Sequence, residues 1–262
     1  MASQSNKHKL NTFHLFAGAG GGILADLLLG HNPIGACEIE PYPRDVLLAR
    51  QRDGHLPNFP IWDDVCSLDG TPWRGSVDVL CGGFPCQDIS AAGKGAGITG
   101  ERSKLWKEYS RLIGEMQPRF VFAENSPLLR TRGLGVVLKD LASLGYNARW
   151  GLLGSRHIGA SNKRDRLWLL AYTNSFGRRE TLRKREVYKK FEAKKIIPWK
   201  ESPNREDHLR LFREWATEEV LGRDIGDTDG VDTNMDKLKA IGNGQDCRVA
   251  ATVFNILSEG LI

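Results

Sequence analysis

The sequence lacks any long apolar run. Its longest candidate, Ile23 to Leu29, spans seven residues, far short of the roughly 20 that a membrane-crossing helix requires. Met1 to Leu10 is polar, carries Lys7 and Lys9, and leads into no apolar stretch resembling a secretory leader. Cysteine is scarce and unpaired in pattern: Cys37, Cys66, Cys81, Cys86 and Cys247 are an odd number with no Cys-x-x-Cys spacing. This excludes a disulfide framework and leads us to expect reduced thiols in a cytoplasm. Cys37, Cys66, Cys81 and Cys247 read as small buried hydrophobes. No His and Cys grouping has the spacing of a zinc site, so no structural metal is expected.

What the chain does have is enough apolar content, 40% over 262 residues, for one large domain or a domain carrying a small insertion. The net charge of +5 is unevenly spread: residues 174 to 215 hold 13 Lys or Arg against 7 Asp or Glu, a local +6 that leaves the rest at −1. A polyanionic partner, if there is one, belongs at that segment.

Short β-like runs and helical stretches alternate up to residue 173. Thr12 to Phe16 reads as a strand, Gly18 to Gly22 as a turn, and Ile23 to Leu29 as a helix. Further strands are expected at Ile34 to Cys37, Val77 to Leu80, Phe120 to Phe122, Asn147 to Leu153 and Leu167 to Ala171. Helices are expected at Arg44 to Arg52, Leu105 to Met116 and Val136 to Leu144. This alternation calls for an α/β fold: a parallel-rich, Rossmann-like sheet with helices on both faces, whose ligands bind beyond the carboxyl ends of the strands. From Asn174 to about Met235 the pattern dissolves into charge, with Pro198, Pro203 and Asp-Gly pairs. An apolar helix, Arg248 to Leu257, then follows. The expected division is a catalytic domain over 1–173, a small basic segment over 174–235, and a C-terminal part, 236–262, that returns to the first domain.

The polar motifs fall at the ends of the expected strands. Phe16-Ala17-Gly18-Ala19-Gly20-Gly21-Gly22 permits a tight turn and close approach to a ligand, and Glu38 lies 18 residues beyond Gly20, near the spacing of a carboxylate that holds ribose hydroxyls. A dehydrogenase uses the same kind of turn. Cys86, in Pro85-Cys86-Gln87, lies in a Gly- and Pro-shaped loop directly after a strand. It is either a reactive thiolate favoured by backbone amides or a packed loop cysteine. Glu124 follows the next strand, as a proton donor in a partly dry pocket or as a helix N-terminal acid. Arg164 and Arg166, two apart, point the same way if extended, into the site or along a solvated edge.

Together these parts suit one chemical problem. Carbon 5 of cytosine is a poor nucleophile, but a thiolate adding to carbon 6 makes it enamine-like if an acid engages ring N3. A cysteine, a carboxylic acid, an arginine for the carbonyl oxygen and an adenosine-binding turn are the components required.

At this point the sequence resembles the DNA cytosine-C5 methyltransferase family, of the small bacterial or phage type. Phe16 to Gly22, including Phe16, Ala17, Gly18, Gly20 and Gly21, resembles its cofactor loop. Glu38 with Ile39 is similar to the ribose site, Asp64-Val65 to the adenine contact, Pro85-Cys86-Gln87 to the nucleophile loop, and Arg102-Ser103 to Trp106 to the following motif. Glu124-Asn125 is similar to the acid, Asn162-Lys163-Arg164-Asp165-Arg166 to the paired arginines, and Gly242-Asn243-Gly244 to the C-terminal cofactor-side motif. All stand in the family's order. The chain departs from the family at Asn162, where glutamine is usual, at Ser126, where a branched residue is usual, and at Gln245-Asp246-Cys247, where apolar and proline residues are usual.

The resemblance implies S-adenosylmethionine as cofactor and a cytosine flipped out of double-stranded DNA as substrate. It further implies Cys86 as nucleophile, Glu124, Arg164 and Arg166 as catalytic partners, and a monomeric enzyme in the cytoplasm of a bacterium or phage-infected host. The segment 174–235, with Tyr188, Phe191, Trp199 and Trp215 among its cations, then holds phosphates and reads bases, or is a solvated charged helix. RNA cytosine methylation, a non-catalytic nucleic-acid-binding relative and a nicotinamide oxidoreductase are the alternatives. The last gives no use for Cys86 or Glu124.

Overall fold

A computed structural model describes residues 9–85, 104–159, 164–173 and 244–262 of the chain. Seven strands form one sheet: β1 (Asn11–Leu15), β2 (Asn32–Cys37), β3 (Ile61–Trp62), β4 (Val79–Gly82), β5 (Phe120–Asn125), β6 (Tyr146–Gly154) and β7 (Asp165–Thr173), in the order β3-β2-β1-β4-β5-β7-β6. The first five run parallel to their neighbours, and β7 runs antiparallel to both β5 and β6. This is the Rossmann-like α/β architecture expected. The reversed strand is the part that periodicity does not reveal, because an apolar run carries no direction.

Side-chain alternation assigns the two faces. Phe13, Leu15, Leu80, Val121, Ala123, Leu167 and Leu169 face one core, covered by α3 (Lys104–Met116) and α5 (Leu134–Ser143). In α3 the apolar stripe Trp106, Tyr109, Leu112, Ile113 and Met116 has the helical period that buries one side. Val79, Cys81, Phe120, Phe122, Trp168 and Leu170 face the opposite core, against α1 (Gly21–Leu29) and the C-terminal helix α6 (Cys247–Leu257). α2 (Pro41–Arg52) opens with a proline at a first-turn position and buries Leu47, whereas Leu48 stays 43% exposed. Among the described residues the remaining α-helix, α4 (Leu129–Arg132), is a single turn after β5.

Asp246, one of the departures from the family pattern, has a structural role. Its carboxylate accepts from the Arg248 and Val249 amides at 3.1 and 3.4 Å, capping the N-terminus of α6. Cys37, Cys81 and Cys247 are buried as expected, but Cys66 is exposed. It sits in the turn where Asp64 Oδ1 accepts its amide at 2.9 Å, outside the core.

Beneath the glycine turn, β1 and α1 are joined by a buried polar cluster. Thr12 Oγ1 donates to Asp26 Oδ2 at 2.5 Å, His14 Nε2 meets the same oxygen at 2.5 Å, and His31 Nδ1 lies 3.5 Å from the other. Sequence spacing gives no sign of it, yet His14, Asp26 and Cys81 bring ligand-type atoms within 4.8 Å of one another. The His14–Asp26 hydrogen bond brings two of the three together, and Cys81, on the neighbouring strand β4, faces the same core. Burial opposes the Asp26 charge, but the charge and hydrogen bond of His14, with His31 and Thr12, bring its pKa down to about 2 from 3.8.

A carboxyl whose pKa is lowered on folding stabilises the fold above its unfolded value and loses that contribution as pH falls through the folded one. For Asp26 the shift corresponds to about 2 kcal/mol. We therefore expect Asp26→Asn to lower the urea-unfolding free energy at pH 7 by at least about that amount, with the gap from wild type narrowing between pH 4 and pH 2. A gap that does not change across this window would mean that the Asp26 charge is not what joins β1 to α1.

Candidate active site

The carboxyl ends of β1, β2, β4 and β5 share one rim, and the antiparallel course of β7 brings its first residues to the same rim. The register pairs Glu124 with Trp168 and Asn125 with Leu167. Glu124 continues the face of Phe120 and Phe122, and Arg166 and Arg164 continue that of Trp168. The acid and Arg166 are thus diagonal cross-strand neighbours on one face. Arg166 Nε lies 2.7 Å from Glu124 Oε1. The expectation that both arginines point the same way is met, although Arg166 is already inside the strand and Glu124 is inside β5, not beyond it.

Glu124 is 8% exposed. Burial raises its pKa above the ordinary carboxyl value, while the positive charges of Arg166 and Arg164 pull it back. Arg164 is itself shifted down, by burial and then by its neighbour Arg166. The two arginines do different work: Arg166 braces the acid, and Arg164 Nη2 donates to the Gly244 carbonyl at 2.6 Å, tying the start of β7 to the C-terminal segment.

Beside this cluster lies the root of the loop that carries Pro85-Cys86-Gln87. β4 ends at Gly82, Phe84 is buried against Trp106 with ring centroids 5.1 Å apart, and Pro85 is exposed. Asn125 Nδ2 donates to the Phe84 carbonyl at 3.0 Å, so the residue after the acid pins the backbone just before Pro85-Cys86. Cys86 itself lies outside the described residues, as do Arg102, Ser103, Asn162, Lys163, Gly242, Asn243 and the segment 174–235.

The glycine turn forms the other half of the rim. The Ala17 amide donates to the Cys37 carbonyl at 3.1 Å, joining the ends of β1 and β2. Phe16, expected as the end of a strand, instead adopts a left-handed φ of 52°, uncommon for a bulky residue and a mark of a constrained turn. Gly20 caps α1 at φ 92°, a conformation that glycine adopts without strain, and supplies no side chain to the first-turn amides. Glu38 Oε2 accepts the Gly18 amide at 2.6 Å and Oε1 accepts the Glu40 amide at 2.8 Å. Next to it Ile39 is 62% exposed.

Two of the expected cofactor residues, Val65 and Gly21, pack against the protein itself. Val65 is buried in the core and its carbonyl accepts from Arg111 Nη2 at 2.9 Å. Asp64 is half-buried in that turn. Gly21 packs against the protein itself: a Cβ there would stand 2.2 Å from the Gln245 carbonyl oxygen. Gln245 and Ser155, which line one cavity with Glu124, Arg164 and Arg166, were not anticipated. The only signal in the sequence was that Gln245 departs from the family's usual apolar residue.

A doubly covered sheet with a reversed β7, a glycine turn after β1 and a buried acid near the end of β5 defines a Rossmann-like α/β domain with a ligand-binding rim. Residues 10–234 match the family model described as C-5 cytosine-specific DNA methylase, and the chain belongs to that family. It is 34% identical over 169 residues to the type II methyltransferase M.Eco47II of Escherichia coli, covering 61% of this chain and 39% of that protein. It is 33% identical over 165 residues to M2.BsuMI of Bacillus subtilis, covering 60% and 40%. The chain thus aligns with about two fifths of the length of these curated relatives. A solved structure of Spodoptera frugiperda DNMT2 shares the fold over 95% of this chain and 99% of that one, with a TM-score of 0.64 at 13% identity.

Removing the nearest positive charge should raise the Glu124 pKa further, because the carboxylate then loses its strongest stabilising partner. In Arg166→Met, the carboxyl signal of Glu124, followed by carbon NMR against pH, should titrate at higher pH than in wild type. An unmoved titration would show that Arg166 does not hold the acid.

Proposed function

We propose that this protein is an S-adenosylmethionine-dependent DNA cytosine-5 methyltransferase. The observation that carries this reading is the junction of a buried, arginine-braced Glu124 with the pinned root of the Pro85-Cys86 loop on one sheet rim, in a chain of this family. The catalytic domain is residues 1–173, completed by 236–262, and the basic segment 174–235 contacts double-stranded DNA and the target sequence.

The glycine-turn side of the rim suits an adenosine-type cofactor. Glu38 offers a carboxylate to ribose hydroxyls, exposed Ile39 an apolar surface to the base, and the uncapped start of α1 its amides. Phe16, Ala17, Gly18, Gly20, Gly21, Asp64, Pro85 and Asn243 complete the proposed cofactor set, with Val65 contributing backbone only. S-adenosylmethionine, when bound, supplies an electrophilic methyl group.

The chain's own residues do the rest. The cytosine leaves the duplex stack so that its ring is reachable. Cys86 Sγ adds as a thiolate to carbon 6 while Glu124 gives its proton to N3, and carbon 5 becomes the nucleophile. Burial of Glu124 keeps its proton available at higher pH than for an exposed carboxyl, and Arg166 holds it in place. Arg164 and Arg166 also present positive charge to the carbonyl oxygen of the base. After carbon 5 has gained the methyl, it loses its proton to solvent water, the electron pair left behind forms the carbon 5–carbon 6 double bond, the sulfur–carbon 6 bond breaks to return the Cys86 thiolate, and the N3 proton goes back to Glu124.

Duplex DNA in which the target cytosine carries fluorine at carbon 5 stops this sequence after methyl arrival, because fluorine cannot leave as a cation. Wild type with cofactor should form a denaturant-resistant protein–DNA adduct, and Cys86→Ser should form none. An adduct with the matching RNA but not with DNA would move the substrate to RNA. No adduct on DNA that the protein binds and methylates would remove Cys86 from the mechanism.

A further inference from the structure

Gln245 occupies the seam between the two halves of the rim. Its backbone carbonyl packs on Gly21, its side-chain Oε1 lies 2.8 Å from where a Cβ on Gly22 would stand, and its Nε2 lies 3.2 Å from the same point on Gly83. Glu124 Oε2 is 2.8 Å from that Gly83 point. The carboxamide nitrogen and the free edge of the acid therefore face one small space, no more than about 6 Å apart by the triangle the two distances form. The Gln245 side chain makes no hydrogen bond among the described residues, although it lines the cavity that holds Glu124, Arg164 and Arg166. In the same cavity Ser155 Oγ is fully buried and also lacks a partner among the described residues. An unmatched buried polar group is costly, so the Ser155 hydroxyl and the half-buried Gln245 carboxamide leave hydrogen-bonding capacity in the cavity that holds the acid.

We propose that Gln245 is a positioning residue for the acid: its carboxamide donates to Glu124 Oε2, holding the edge that Arg166 leaves open when the base is bound. The groups facing Glu124 then each have a role. From β7, Arg166 grips Oε1 and Arg164 adds charge. From the C-terminal segment, Gln245 holds Oε2, while Asp246 is committed to capping α6. A glutamine in this place lets the C-terminal segment adjust the acid, which an apolar side chain could not do. The inference rests on the methyltransferase reading above.

The test measures methyl transfer from S-adenosylmethionine to unmethylated plasmid DNA across pH for wild type, Gln245→Met and Gln245→Glu. Gln245→Met keeps the length of the side chain and removes its donor. It should lower kcat about ten- to hundredfold with KM for cofactor and DNA nearly unchanged, and move the alkaline limb of the kcat profile to higher pH. Gln245→Glu brings a second carboxyl to Glu124 Oε2 and should move that limb further in the same direction, because like charge disfavours the ionised acid. Unchanged kcat and limb in both variants, or a rise in cofactor KM alone with the limb in place, would overturn the role of Gln245. A wild type that transfers no methyl to DNA would instead overturn the functional reading itself.

Discussion

The contact between Arg166 and Glu124 is the interaction on which the site depends. A carboxyl at the tip of a central strand is desolvated, which favours its neutral form; a guanidinium on the adjacent strand favours its charged form. The balance between them is set by backbone register, since diagonal neighbours on antiparallel β5 and β7 are brought together by sheet geometry before any side chain chooses a rotamer. Reversing β7 is what makes this possible. A parallel strand in that position would bring its start to the opposite rim.

The second constraint is closure. The C-terminal segment crosses above the glycine turn, where Gly21 leaves room for the Gln245 backbone, and α6 then covers the β-face below Glu124 with Val249, Val253, Phe254 and Leu257. Arg164 fastens this segment from β7 through Gly244, and Arg149 does so at the far end by donating to the Leu257 and Glu259 carbonyls at 3.0 and 2.8 Å. Residues from β5, β7 and the C-terminal segment thereby share one cavity.

Much of this was legible in advance. The alternation of apolar runs gave six of the seven strands and the main helices to within a few residues, because buried parallel strands and amphipathic helices follow composition and period. β3 was missed because two residues carry no period. Glu124, Arg164 and Arg166 could be named from their positions at strand ends. What could not be read depends on three-dimensional pairing. The direction of β7, the left-handed Phe16, the turning of Val65 into the core, and the Asp26 cluster drawn from β1 and α1 all depend on how the elements pack, which apolar period does not encode. Gln245 stood out only as an exception to a pattern, and its place in the site emerges from its packing against Gly21, Gly22 and Gly83.

The central claim, that this rim methylates cytosine in DNA, is tested most directly by bisulfite sequencing of DNA from cells expressing the protein, beside cells expressing Cys86→Ala. The account predicts conversion-resistant cytosines at a recurring sequence with the wild-type protein and none above background with the variant. Resistance at the same sites in both, or in neither while both proteins are folded and abundant, would contradict it.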